Sequence, residues 1–220
     1  MISKGKQQGA GNLSPTPIAG VPSPFSGQAQ NETPTEPPKA VAPVNGAIAK
    51  VGDEIITVGV GFPTTINPII QNRLVPVFVD VDINTLCPDM EVIENAIVEG
   101  RTKGVILAHP LGNPFNAETL RDICNEYGIW LIEDCCDVLG GTLRGKLLGS
   151  FGDISTLSFY PAHHITAGEG WACLTQSPMV AKVLQSFRDW GKSCWCLPGK
   201  DNTCGKRFCW QEGELPEGYD

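Results

Sequence analysis

From Glu54 to about Trp190 the chain alternates short β-rich runs with helical patterns, and that alternation limits it to one class of fold. Residues 54–58, 74–80, 103–109, 128–134 and 154–160 read as strands. The near-continuous apolarity of 74–80 predicts a strand buried on both faces, and 154–160 is the last clear strand. Helical patterns fall between them. One covers 88–97, with cap chemistry at Asp89. A second is capped by Asn116; Leu120, Ile123, Cys124 and Tyr127 share one of its faces, and Gly128 stops it. A third is opened by Ser177 and stopped by Gly191. This order predicts an α/β domain with a mostly parallel sheet. Such sheets hold their ligands at the carboxyl ends of the strands. Three polar clusters, 109–113, 133–137 and 158–164, fall at those ends.

Residues 1–46 are of another kind. They hold eight of the eighteen prolines and no Cys, Trp or Tyr. Such a stretch buries too little apolar surface to offset the entropy of ordering it, so disorder is expected. All nine cysteines and all five tryptophans follow. The net charge is −8 and no Lys/Arg-rich run occurs, which argues against a nucleic-acid or anionic-membrane partner. No apolar run reaches membrane-spanning length, and residues 1–8 lack a signal-type apolar core. A cytoplasmic setting is expected, where nine cysteines read as core thiols and metal ligands rather than a disulfide framework.

Two constellations could carry chemistry. Asp134 ends a buried strand, so its carboxylate sits at the strand tip; there it could hold a cationic ring nitrogen or simply cap the next turn. His163 and His164 follow a strand and precede a Gly-rich turn. One imidazole could act as a general base near neutral pH, or the pair could be structural or metal-binding.

The string Ser158-Phe-Tyr-Pro-Ala-His-His-Ile-Thr-Ala-Gly-Glu-Gly170 resembles the family of sugar aminotransferases and dehydrases with the aspartate-aminotransferase fold. So do Gly52-Asp-Glu-Ile-Ile, Gly61-Phe-Pro-Thr-Thr-Ile-Asn-Pro, Pro76-Val-Phe-Val-Asp-Val-Asp, Ile132-Glu-Asp-Cys-Cys-Asp, Ser186-Phe-Arg-Asp-Trp-Gly and Asp201-Asn-Thr-Cys-Gly-Lys-Arg-Phe. The likeness runs from about residue 47 to 220. It implies the large domain of a fold-type-I enzyme dependent on pyridoxal 5′-phosphate (PLP) over 47–191, then a Cys-rich loop over 192–220. His163 stands where the aminotransferases carry their coenzyme-binding lysine. That substitution is similar to the family's CDP-4-keto-6-deoxy-D-glucose 3-dehydrase branch, which serves the 3,6-dideoxyhexoses of lipopolysaccharide O-antigen.

The resemblance implies untethered coenzyme, as pyridoxamine 5′-phosphate (PMP), with His163 as the catalytic base. Asp134 would hold the pyridinium and Ser158 the phosphate. Phe62 would stack on the ring, although plain core packing accounts for it equally well. Asp137 and Tyr160 would shape the pocket; Asn67 and His109 receive no role. Cys136, Cys194, Cys196 and Cys204, spaced C-x57-C-x-C-x7-C, are similar to that branch's [2Fe–2S] ligand set. A structural zinc on Cys194, Cys196, Cys204 and Cys209 is the competing reading. Cys87, Cys124, Cys135 and Cys173 read as small core hydrophobes. The implied partners are a CDP-4-keto-6-deoxyhexose, an NAD(P)H-dependent flavin/iron–sulfur reductase and a second copy in a homodimer.

Three departures from the pattern stand out. A Pro-rich segment replaces the phosphate-cradling turn upstream of Gly52. The C-terminal domain after Asp220 is missing. Trp171 follows Gly170 where the family has another glycine, and is expected to crowd the coenzyme. These features suggest a fragment of weak or no activity. An aminotransferase would need its lysine; Lys146 and Lys182 are nearest, and neither occupies the motif position. A non-enzymatic remnant is the third reading.

Overall fold

The computed structural model describes residues 49–189 together with 196, 200, 203 and 205. The proline-rich segment 1–46 and nearly all of the Cys-rich loop 192–220 lie outside the described residues, Cys194, Cys204 and Cys209 among them. In chain order the elements are β1 (Glu54–Val58), α1 (Pro63–Gln71), β2 (Val75–Val79), α2 (Met90–Asn95), β3 (Thr102–Ala108), a 3-10 turn (Pro110–Gly112) and α3 (Ala117–Glu126). Then follow β4 (Trp130–Asp134), a small hairpin of β5 (Thr142–Leu143) and β6 (Lys146–Leu147), β7 (Ile154–Ser158), β8 (Trp171–Leu174) and α4 (Pro178–Arg188).

Six strands form one sheet in the order β2-β1-β3-β4-β7-β8. Neighbours are parallel from β2 through β7, and β8 runs antiparallel. The order reverses between β1 and β3, a switch point where the loops leaving the strand ends diverge and open a crevice. Register puts Ala108 and Asp134, at the tips of β3 and β4, in line with Thr156 in the middle of β7.

The caps read from the sequence form. The Asp89 side chain accepts from Glu91 N, that of Asn116 from Thr119 N, and that of Ser177 from Val180 N. Helix α3 buries Ala117, Leu120, Ile123 and Cys124, while Tyr127 beyond its end is exposed. Each buried Leu or Ile contributes about 1.5–3 kcal/mol. Ala117, Leu120 and Cys124 join Ile56, Val105, Leu107, Leu131 and Phe115 in the main core cluster.

Three expectations need correction. The 74–80 run is not buried on both faces: β2 is an edge strand, with Val75 and Phe78 exposed and only Val79 buried. Pro76, which has no N–H to give a second neighbour, is the residue that marks an edge. The strand at 154–158 is not the last, because β8 pairs with it, Trp171 opposite Ser158. Cys173, on β8, is only half-buried, while Cys87, Cys124 and Cys135 are buried as expected.

Candidate active site

Asp134 is the last residue of β4 and is half-buried at the open end of the sheet. Its oxygens meet donors from three elements. Thr65, on α1, donates its hydroxyl to Oδ2 at 2.9 Å. The Cys136 N–H and the Thr156 hydroxyl approach Oδ1 at 3.2 and 3.4 Å. Thr65 gets there because α1 starts straight after β1, with Pro63 pre-set for its first turn. These contacts fix the carboxylate plane, and Oδ2, which takes one donor, keeps an acceptor position open. A cationic ring N–H is the kind of partner such an anchored carboxylate suits, so the residues present fit a protonated pyridine ring.

Asp137, three residues on, joins two further loops. Its Oδ2 accepts from Leu111 N at 3.3 Å, and its Oδ1 lies 3.4 Å from His163 Nδ1. Leu111 is held at φ 51°, ψ 28°, a conformation rare for a bulky residue and typical of strained functional loops. The Tyr160 ring meets the His163 ring edge-on at 6.4 Å between centroids, and Tyr160 N donates to Ser158 Oγ at 3.2 Å. Thus Asp137, Ser158, Tyr160 and His163 form one connected group beside Asp134. His164, the other member of the pair, is exposed. Phe62 precedes α1 and is 71% exposed, which removes core packing as the explanation for it. Trp171 is likewise exposed.

Among the proposed sulfur donors, Cys136 and Cys196 are described and both are half-buried. Burial and the neighbouring Asp134 carboxylate push the Cys136 thiol up to about 12. An incoming metal would have to displace that proton, which is the ordinary route by which thiols become ligands. The Thr203 hydroxyl lies 3.2 Å from Cys196 Sγ.

A second polar network lies under the tips and is structural. Glu133, fully buried, points to the opposite face from Asp134. Its Oε1 accepts from Phe151 N and Gly152 N, and its Oε2 from Gly149 N and His109 Nε2. Burial pushes the Glu133 carboxyl up, but the His109 bond and the Gly152 and Gly149 amides outweigh it, leaving it below the ordinary value. His109 itself stacks on Phe115 at 4.2 Å. The donor atoms of His109, Glu133 and Cys135 lie within 4.8 Å of one another. They are not free for a metal, because all four acceptor positions of Glu133 are taken. His109 therefore supports the loop between Gly149 and Gly152 from below.

Thr65 and Thr156 were not anticipated, and Glu133, read as part of the polar cluster at the strand ends, is instead buried on the other face. The first two are ordinary threonines in their own segments; sheet register brings Thr156 beside Asp134, and helix α1 brings Thr65 there.

The mostly parallel six-stranded sheet with flanking helices is the large-domain architecture of the PLP-dependent aminotransferase fold. The chain belongs to the DegT/DnrJ/EryC1/StrS aminotransferase family, whose model matches residues 44–206. It is 60% identical over 171 residues to the lipopolysaccharide biosynthesis protein RfbH of Salmonella typhimurium, covering 78% of this chain and 39% of that protein. It is 56% identical over 169 residues to the dTDP-4-dehydro-2,6-dideoxy-D-glucose 3-dehydratase of Saccharopolyspora spinosa, covering 77% and 36%. Among solved structures it matches the Escherichia coli GDP-4-keto-6-deoxy-D-mannose-3-dehydratase with bound hydrated PLP. There the TM-score is 0.62 and the identity 37%, over 66% of this chain and 37% of that one. The chain thus spans well under half the length of these relatives. No helix among the described residues is long and apolar enough to cross a membrane.

Proposed function

We propose that this chain carries the coenzyme-binding half of a sugar 3-dehydratase site. The reaction removes the C3 hydroxyl of a nucleotide-linked 4-keto-6-deoxyhexose, with CDP as the nucleotide, on the way to lipopolysaccharide dideoxyhexoses. The observation that carries this reading is the His163 imidazole 3.4 Å from Asp137, three residues past the anchored Asp134, at the position the resemblance assigns to the family's lysine. Relatives named as sugar 3-dehydratases support it.

When bound, PMP supplies an amine for the C4 ketone and a ring that stores electrons as the hydroxyl leaves. Asp134 would hold the ring nitrogen, with Thr65 and Thr156 holding Asp134. Ser158 would bind the phosphate. Phe62, exposed beside the start of α1, would cover a ring face. His163 would move the proton at its Nε2, and Tyr160 would limit where the imidazole can swing. Cys136, Cys194, Cys196 and Cys204 would ligate a [2Fe–2S] cluster fed by an NAD(P)H-dependent flavin/iron–sulfur reductase. A homodimer would complete the sugar side of the site.

An aminotransferase activity is disfavoured by the placement of the lysines. Lys146 sits on the β5–β6 hairpin with its ammonium 4.1 Å over the Phe151 ring, and Lys182 lies on α4.

The test is direct. The protein is incubated with PMP, reductase and CDP-4-keto-6-deoxyglucose, and the product is examined by mass spectrometry. Loss of the C3 hydroxyl is expected; an aminated product that keeps it would overturn the reading. Anaerobic reconstitution should give iron and sulfide in equal amounts and fail in Cys196→Ser, whereas zinc without sulfide would favour a structural metal. His163→Lys should produce a shifted coenzyme absorption band, and a coenzyme-binding variant with no shift would count against the position assigned to His163.

A further inference from the structure

We infer that Asp137 is a positioning residue that sets which nitrogen of His163 carries the proton. The inference rests on His163 being the proton-moving group proposed above. A carboxylate only accepts, so the Asp137 oxygen 3.4 Å from Nδ1 selects the tautomer with hydrogen on Nδ1. That leaves Nε2 bare, as a base requires. In water a free neutral imidazole prefers hydrogen on Nε2, so the carboxylate works against the default. The contact is an electrostatic one at ion-pair distance rather than a closed hydrogen bond, and a carboxylate at that distance still favours hydrogen on the nitrogen that faces it.

Three features make this contact an oriented one. The other Asp137 oxygen is tied to Leu111 N at 3.3 Å, so the carboxylate is fixed from the far side. The leucine that makes this bond sits in the left-handed region, a backbone conformation rare for a bulky residue. The Tyr160 ring edge and the bond from His163 N to Tyr160 O at 2.9 Å fix the imidazole from its own loop. Asp137 therefore couples the loops after β3, β4 and β7, and the His163 ring is the one part of that junction with chemistry to perform.

Asp137→Asn is the selective perturbation. Its amide oxygen can keep the Leu111 bond while its NH2 turns to His163 and inverts the polarity of that contact. The full chain is labelled with 15N-histidine. With only three histidines, His163→Gln assigns the signals. The native protein at pH 8 should show Nδ1 protonated and Nε2 bare at His163. Asp137→Asn should move the proton to Nε2, and Asp137→Glu should restore the native pattern in part. In dehydration assays kcat should fall about 100-fold in Asp137→Asn, with PMP affinity and sugar KM within about threefold of native. An unchanged 15N pattern in a folded Asp137→Asn protein would overturn the inference, whatever the activity. If the pattern inverts but the native protein performs no dehydration, the hold on His163 stands and the proposed reaction falls. If Asp137→Asn does not fold, a native pattern in Asp137→Glu together with a mixed one in Asp137→Ser supports the inference, and identical patterns in both refute it.

Discussion

Changing Glu133 to Gln tests how the strand tips are supported. The native carboxylate takes four donors, two on each oxygen. Glutamine keeps one oxygen and replaces the other by NH2, which offers nothing to a donor. If NH2 takes the Oε1 place, the amides of Phe151 and Gly152 lose their acceptor. If it takes the Oε2 place, Gly149 N–H is orphaned and His109 must turn its proton to Nδ1. That atom is buried, with no partner among the described residues. Either way two buried donors go unpaired, at about 2 kcal/mol each, so the loss is about 4 kcal/mol. At a typical slope of about 2 kcal/mol per molar, the urea midpoint should drop by about 2 M. Tryptophan fluorescence against urea measures it. The pH dependence adds a second check. Glu133 has its folded value lowered, so its contribution is complete above the ordinary glutamate value, about 4.3, and is lost as pH falls through the folded value. The gap between native and variant should therefore be constant near neutrality and close in acid. A variant within 1 kcal/mol of native at pH 7 would refute the four-donor account.

Other outcomes follow from the same geometry. Thr65→Val removes the hydroxyl on Asp134 Oδ2 without touching the core, and PMP affinity by fluorescence titration should fall about tenfold with unchanged circular dichroism. Gly152→Ala should cost about 2–3 kcal/mol in urea denaturation, because a Cβ there would meet Leu131 O at 2.8 Å, whereas open space surrounds Gly61 and Ala there should cost far less. The Cys124 thiol, pushed up to about 12 by burial, should resist iodoacetamide at pH 8 in the folded chain and react once urea unfolds it.

The parallel sheet was legible because four of its strands carry dense apolar runs between capped helices. Asp89, Asn116 and Ser177 each announce a helix by local chemistry, and all three form. Helix α1 was not legible. Pro63 and Pro68 stand five residues apart in it, and a proline inside a helix removes a bond and normally ends the pattern. Here Asn72 N and its side-chain amide both bond to Pro68 O, closing the last turn. Strand β8 was hidden for a different reason. Trp171 and Leu174 are exposed, so its four residues carry no alternation of buried and solvated side chains.

The site divides along the same line between local and long-range information. Asp134, His163 and Ser158 stand out in their own segments, at the ends of apolar runs or in a motif. What brings the candidate residues together is register. Ala108, Asp134 and Thr156 are neighbours because three parallel strands are aligned, and Thr65 reaches Asp134 from a helix 69 positions away in the chain. Spacing along one strand cannot encode a contact whose partner lies on another. Glu133 shows the consequence. It sits next to Asp134 in sequence, yet alternation sends it to the other face of β4, where its charge is spent on four donors of the supporting loops. Two adjacent carboxylates thus face opposite ways, one buried and stabilising the platform, the other half-buried at its open end. A one-residue slip of β4 would exchange them, so a chain that holds Asp134 at the crevice must also bury Glu133, and the four donors beneath the sheet secure the register on which the site depends.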